Sequence, residues 1–337
     1  VCRQGTVTKL VEDKDGTVRG VRYKVKGEKA PRTATAHVTI VCDGCFSRFR
    51  KKLMKHQKPE GSSSFVGLVL KDAPLPHPNR GHVVLAEPSP VLAYPISSNE
   101  IRVLVDVPNP LPSSSNGDLA KYLLEVTLPQ IPENLQTAFE HAVKETRIRS
   151  MPNNRLHPEQ FEKRGLIALG DAINMRHPLT GGGMTVAFSD VLIVTQLLSQ
   201  VKDLSDTDAI AKVQQKLYKE RHPLASTINV LAQALYEVFA DVDDVGLQEA
   251  CFNYFKMGGI AVSGPMGLLA GLTPNPKVLI THFFAAALYG VGQQLLPLPL
   301  PWKIPKAYKI MSKASSIVTP LLKNENVLIP KFLQSKL

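Results

Sequence analysis

The sequence predicts a mixed α/β (α+β) protein, with strands gathered in its first half and helices in its second. Three observations predict it. Up to residue 168, short runs rich in Val, Ile, Thr and Tyr alternate with clusters of Gly, Pro, Asn and Asp. Beyond residue 200, apolar residues recur at helical spacing with fewer such breaks. Between the two, an apolar run at 166–169 ends in Gly170-Asp171 and a polar loop follows. Gly181, Gly182 and Gly183 then open a segment in which Ala187, Val191, Val194, Leu198 and Val201 repeat at three- and four-residue steps.

Taken in order, the first strands are expected at 6–11 and 17–26, joined by a turn in which Gly16 can take a positive φ. A third, at 37–42, completes a small meander and ends in Asp43-Gly44. Strands at 64–70, 82–85, 91–96 and 100–106 read as one antiparallel sheet, with helices at 118–126 and 133–143 on its edge and a returning strand at 146–151. Helices are expected at 209–218, 225–239 and 247–255. The stretch 258–276 is rich in Gly and Pro and nearly uncharged, which suits a turn or short helices. The apolar run 278–296 borders on the roughly 20 residues that cross a bilayer. His282, Gln293 and Gln294 favour instead a hydrophobic hairpin dipping into one leaflet. Four parts result: 1–50, 51–160, 161–202 and 203–337.

The 337 residues suffice for two packed lobes, and the net charge is +11. The basic excess concentrates at the end. Lys303, Lys306, Lys309, Lys313, Lys323, Lys331 and Lys336 stand against one acid, Glu325. They interleave with Trp302, Tyr308, Ile310, Ile317, Leu321, Leu322, Val327, Ile329 and Phe332. That mixture suits a lipid headgroup layer, or an ordinary solvated helix face. No nucleic-acid reading motif accompanies the charge. Cys2, Cys42, Cys45 and Cys251 give no disulfide framework. The Cys42-x-x-Cys45 pair has no second pair or histidine cluster beside it, so no metal site is expected.

A glycine-rich entry to a helix exposes backbone N–H groups at the positive end of the dipole, and an acid at a strand's carboxyl edge can accept hydrogen bonds from a sugar-like hydroxyl. The pairing suits a large anionic cofactor. The segment GDAINMRHPLTGGGMTVAF (170–188) resembles the second flavin-binding motif of the FAD-dependent aromatic-hydroxylase-type monooxygenases, and more narrowly the squalene epoxidase family. VCDGCFSRFR (41–50), PSPVLAYPIS (88–97), RIRSMP (147–152), NVLAQALYEVF (229–239) and PNPKVLITHFF (274–284) resemble that family too, in its order and over nearly the whole chain.

The resemblance implies a partial fold of that monooxygenase class, with an antiparallel substrate-lobe sheet and a C-terminal helical, membrane-associated region. It implies FAD as cofactor. Asp171 then contacts the ribityl or pyrophosphate region, Met184 touches FAD, and Gly181, Gly182 and Gly183 face the flavin pyrimidine edge. Val7 falls at the family's adenine-side contact. Asp43 lies in its DG motif, or is a plain β-turn aspartate. Arg176 and His177 help position FAD or bond neighbouring carbonyls. Tyr94, Phe239, Phe252, Phe255, Pro265, Leu268 and His282 match positions lining the family's apolar tunnel, although each serves equally well as core.

The implied reaction uses O2 and reduced FAD to epoxidise a terminal alkene of squalene to 2,3-oxidosqualene. The alkene is the nucleophile, so no catalytic Ser, Cys or His is expected. The implied partners are squalene, NADPH–cytochrome P450 reductase and membrane lipid, at the cytosolic face of the endoplasmic reticulum. The family also opens with a strand and G-x-G-x-x-G for the ADP part of FAD. This sequence contains no such pattern, Gly290-Val291-Gly292 being the nearest, so a fragment without the first half of the cofactor site is expected. Other readings are a different flavin hydroxylase and a truncated, non-catalytic membrane-surface protein.

Overall fold

Alternating β-formers around Gly16 build a hairpin at the start of the chain. In the computed structural model, which describes residues 2–240, 245–297 and 300–327, β1 (Thr6–Glu12) and β2 (Val18–Lys24) pair antiparallel. Their turn is closed by Asp15, whose carboxylate accepts from the Thr17 amide at 3.1 Å and hydroxyl at 2.9 Å. The third meander strand is not 37–42 but β3 (Arg32–Thr35), antiparallel to β2. The apolar run expected there leaves the meander as β4 (Thr39–Val41) and pairs parallel with β10 (Leu166–Ala168). The reason is compositional. Leu166, Ile167 and Ala168 are all fully buried, and a near-continuous apolar strand belongs to a covered parallel pair rather than a half-solvated meander.

A short helix, α1 (Arg50–Leu53), leads to a five-stranded sheet. Its strands are β5 (Ser63–Lys71), β6 (His82–Val84), β7 (Val91–Pro95), β8 (Glu100–Pro108) and β9 (Arg149–Pro152), in the order β6-β7-β8-β5-β9, all antiparallel. One face carries Val66, Leu68, Val103 and Val105 against Leu135, Phe139, Ala142 and Val143 of α3 (Glu133–Glu145). Those four helix positions recur at three- and four-residue steps and form its apolar stripe. Burying Phe139 completely contributes about 1.5–3 kcal/mol. The helix expected at 118–126 is α2 (Asp118–Tyr122), followed by a wider turn at Leu123–Thr127 and a tight one at Leu128–Gln130, where Pro129 removes a backbone donor.

α4 (Gly183–Ser199) precedes α5 (Thr207–Phe239), a single helix of 33 residues. Two helices were expected there, divided near Pro223. An interior proline costs about 3 kcal/mol, but here both halves are held by packing. Ile210, Val213 and Leu217 press on β10 and α4, while Val230, Leu231, Ala234 and Val238 enter the C-terminal core. α6 (Val245–Lys256), α7 (Ile260–Leu269), α8 (Pro276–Leu295) and α9 (Ile304–Asn324) complete that core.

The run expected as a hairpin is the continuous helix α8. Among the described residues it is the one helix long and apolar enough, by length and composition alone, to cross a membrane. Its Leu279, Ile280, Phe284 and Ala287 are packed inside the helical core. The lysine-interleaved apolar residues also differ from expectation. Ile310, Ile317, Leu321 and Leu322 turn inward as the apolar stripe of α9 and leave Trp302 and Tyr308 exposed. Ile329, Lys331, Phe332 and Lys336 lie outside the described residues.

Candidate functional site

Two residues past β10, Gly170 has a positive φ of 64°, and Gly170–Ala172 turns tightly away. A Cβ built on Gly170 would stand 4.0 Å from the Ala187 Cβ, so the turn rests on α4 one turn from its start. Asp171 and the glycine-opened helix end are thereby brought to one side of the molecule. No side chain caps α4, which leaves its first-turn N–H groups free of side-chain acceptors. The three glycines differ. Gly181 has a φ of 66° and open space around its Cβ position, and Gly183 has open space as well. Gly182 is packed, since a Cβ there would meet the Ile228 Cγ2 at 2.5 Å. Gly181 and Gly183 therefore fit the close approach of a flat ligand edge, while Gly182 fits the approach of α5.

Arg50, which sequence reasoning did not single out, ties this site together. It is 6% exposed. Its Nε donates to the Ala172 carbonyl at 3.0 Å, and its Nη2 to the Asp171 carbonyl at 2.8 Å and the Gly44 carbonyl at 3.1 Å. One guanidinium thus clamps the Asp43-Gly44 loop to the Gly170-Asp171 turn. Burial pulls its pKa below the usual arginine value, against the charges of Asp43, Cys45 and Asp171. The clamp engages the backbone carbonyl of Asp171, and its carboxylate is exposed. A signal existed in the sequence: Phe49 and Leu53 are four apart, and Arg50 shares their inward face.

Beneath the loop lies a polar web. Asn174, fully buried, donates to the Leu156 carbonyl at 2.9 Å and accepts from Arg176 at 2.7 Å and Arg221 at 3.2 Å. Arg221 also pairs with Asp190 of α4 at 2.9 Å. Arg176 bonds the Asn174 carbonyl as well, at 3.1 Å. Burial and the neighbouring Arg221 bring Arg176 down to about 10, against Asp171, Glu325 and Asp190, so it stays charged at neutral pH. Glu325, buried at the end of α9, accepts from Asn229 at 3.0 Å and meets the His157 Nδ1 at 2.7 Å. This web joins the loop between Gly170 and Gly183 to α4, α5 and α9.

The remaining expected residues are dispersed. Met184 is 69% exposed on the first turn of α4, beside exposed Phe188 and Leu192. Val7 lines a separate open groove of about 520 Å³ with Arg3, Val21 and Tyr23, a groove whose lining includes neither Asp171 nor the glycines. The Asp43 carboxylate accepts from the Arg48 amide at 3.1 Å, a turn contact. Tyr94 is half-buried on β7. Phe239 joins the C-terminal core to Phe65 and Leu92 of the sheet. Phe255 packs on that core, and Pro265 and Leu268 are buried in α7. Phe252 faces solvent under Lys256, whose Nζ lies 4.5 Å from the ring centroid. The His282 Nδ1 stands 2.8 Å from the Tyr254 hydroxyl, and burial lowers the His282 pKa.

Comparison with known proteins places this arrangement. Residues 35–307 match the squalene epoxidase family. The chain is 50% identical to squalene monooxygenase SE2 of Panax ginseng over 328 residues, covering 96% of this chain and 60% of the relative. It is 45% identical to the squalene monooxygenase of Mus musculus, covering 96% and 56%. It therefore spans about 60% of the length of the plant relative. Among solved structures, the flavin-dependent brominase Bmp2 superposes with a TM-score of 0.62 at 16% identity, covering 85% of this chain and 70% of that one. Klebsiella pneumoniae HpxO, solved with FAD and uric acid, gives 0.61 at 17%, covering 81% and 67%. The shared fold is that of flavin-dependent monooxygenases, and the chain belongs to the squalene epoxidase family.

Proposed function

We propose that this chain supplies the flavin-edge and substrate-facing parts of an FAD-dependent squalene monooxygenase, which epoxidises squalene to 2,3-oxidosqualene. The observation that carries the proposal is the Arg50 clamp, which sets the Asp171 turn beside the uncapped, glycine-opened start of α4. These residues fit FAD by their chemistry. The exposed Asp171 carboxylate suits a ribityl hydroxyl. The free N–H groups at the start of α4 suit a negatively charged ring edge. Reduced FAD supplies the activated oxygen when bound. The chain orients, excludes water and carries apolar surface for the alkene, with Phe239 packed against both the sheet and the helical core.

The exposed apolar face of Met184, Phe188, Val191 and Leu192 suits packing against the part of the relatives' length that this chain does not span. Exposed Leu288, Leu296, Trp302, Ile304 and Tyr308 beside Lys303 and Lys306 suit the cytosolic surface of the endoplasmic reticulum membrane, where a lipid-soluble substrate resides. An NADPH–cytochrome P450 reductase would deliver the electrons. The test uses the chain co-expressed with the portion of the ginseng relative that it does not span, hereafter the complemented protein. FAD, NADPH, the reductase, O2 and squalene should yield 2,3-oxidosqualene by gas chromatography with mass detection. A flavin-loaded protein that turns over phenols and leaves squalene untouched refutes the proposal.

A further inference from the structure

His177 and Asp106 come from opposite sides of the site, one from the loop before the glycines and one from β8, and both are buried. Their side chains are 4% and 0% exposed. The His177 Nδ1 accepts the Leu179 amide at 3.3 Å and so caps the tight turn Pro178–Thr180 that runs into Gly181. That role places the proton of the neutral ring on Nε2. Nε2 faces the sheet, 3.4 Å from the Ser63 hydroxyl and 3.7 Å from the Asp106 Oδ1. Asn153 donates to both of those oxygens, at 2.7 Å to Asp106 and 3.1 Å to Ser63. The imidazole stacks on Tyr236 of α5 with centroids 3.7 Å apart and meets Phe65 edge-on at 5.6 Å. Packing sets the ring plane, and the two nitrogens tie the loop on one side to the sheet on the other.

We propose that His177 and Asp106 form a positioning pair, which fixes how far the glycine-opened end of α4 stands from the five-stranded sheet. Neither is a catalytic residue. The inference rests on the flavin reading above, because that spacing becomes the gap between cofactor edge and substrate. An apolar pair would fill the same volume, but it would not select one register of the loop on the sheet. Asn153, at 2.7 Å, is the nearer donor to the Asp106 carboxylate and comes from just past the end of β9, while His177 comes from the loop, so the hold of the loop on the sheet is expected to depend on His177 and Asp106 as a unit.

The test separates the two ring nitrogens. His177→Asn keeps an acceptor for the Leu179 amide but is too short for Asp106. His177→Gln reaches toward Asp106 and gives up the cap. Amide hydrogen exchange is followed in the whole chain, with strands β1 and β2 as the internal reference. His177→Asn and Asp106→Asn are each expected to speed exchange by about tenfold at the amides of 181 and 186, which are hydrogen-bonded to the Pro178 and Gly182 carbonyls, with the double variant no faster than either. His177→Gln is expected to hold the amides of 181 and 186 within about threefold of wild type while freeing the amide of residue 179. Wild-type exchange at 181 and 186 in His177→Asn, or additive effects in the double variant, overturns the pairing. If Asp106→Asn does not fold, the contrast between the two His177 variants decides it. Flavin titration of the complemented wild-type protein is read separately. Absence of flavin binding there removes the flavin reading and leaves the exchange result to judge the pair.

Discussion

Gly183→Ala separates the fold from the site. Residue 183 is the first residue of α4, its φ is ordinary, and no atom lies within 4 Å of a Cβ built there. An alanine at such a position restricts the unfolded chain and favours the helix by about 0.4–1 kcal/mol. The variant should therefore be as stable as wild type or slightly more so. Under the proposed function its methyl group would nonetheless sit over the backbone that a flavin edge is expected to approach. The complemented protein is expected to lose at least about tenfold in FAD affinity, roughly 1.4 kcal/mol.

Gly182→Ala is the counterpart. Its Cβ would fall 2.5 Å from the Ile228 Cγ2, well inside ordinary contact, so overpacking of about 1–3 kcal/mol is expected. Gly181→Ala meets open space but inherits a φ of 66°, a strain of about 1–2 kcal/mol. Urea unfolding followed by far-UV circular dichroism gives the stabilities, and quenching of flavin fluorescence gives the affinities. A Gly183→Ala variant that binds FAD like wild type, or that loses more than about 1 kcal/mol of stability, refutes the reasoning.

Other consequences are as direct. Arg50→Ala removes three charge-assisted hydrogen bonds and leaves the carbonyls of Gly44, Asp171 and Ala172 without that donor, so a loss of about 3–5 kcal/mol is expected in the same urea assay. A loss under about 1 kcal/mol would show that the clamp is idle. Asp171→Ala should leave the unfolding midpoint within about 0.5 kcal/mol of wild type, because the clamp grips its backbone, yet it should impair flavin retention during purification. Burial works to raise the Asp106 carboxyl, but His177, Ser63 and Tyr236 outweigh it and hold the pKa below 3.8. The unfolded chain then takes up this proton first as pH falls, so Asp106 stabilises the fold at neutral pH and that support fades below the ordinary carboxylate range. Asp106→Asn should flatten the acid limb of the stability profile, and an unchanged limb would contradict the contact. Burial pushes the Cys251 thiol up to about 12, so at pH 8 a maleimide should label exposed Cys2 and Cys42 and spare Cys251.

The order of elements was legible in the sequence because it is set locally. Gly16, the Pro and Gly clusters between 70 and 100, and the apolar steps after Gly183 mark turns, strands and helices through backbone preference and side-chain period. The Gly-Asp turn and the glycine-opened helix were legible for the same reason, since they occupy one stretch of 19 residues. Pairing across the chain was not. β4 left the meander for a parallel partner more than a hundred residues away, α5 ran straight through Pro223, and the apolar residues of α9 turned inward. Each outcome depends on which distant surface is available to cover an apolar face, and local sequence does not encode that.

The groups that order the site have the same origin. Arg50 spans more than 120 positions to hold the Asp171 turn, and His177 spans 71 to meet Asp106. The sequence by itself determined which segments turn, extend or coil, and that one of them carries an acid and three glycines fit for an anionic ligand. The tertiary structure alone decided which buried charges face one another, because desolvated groups find partners by proximity in space, and only the packed chain creates that proximity.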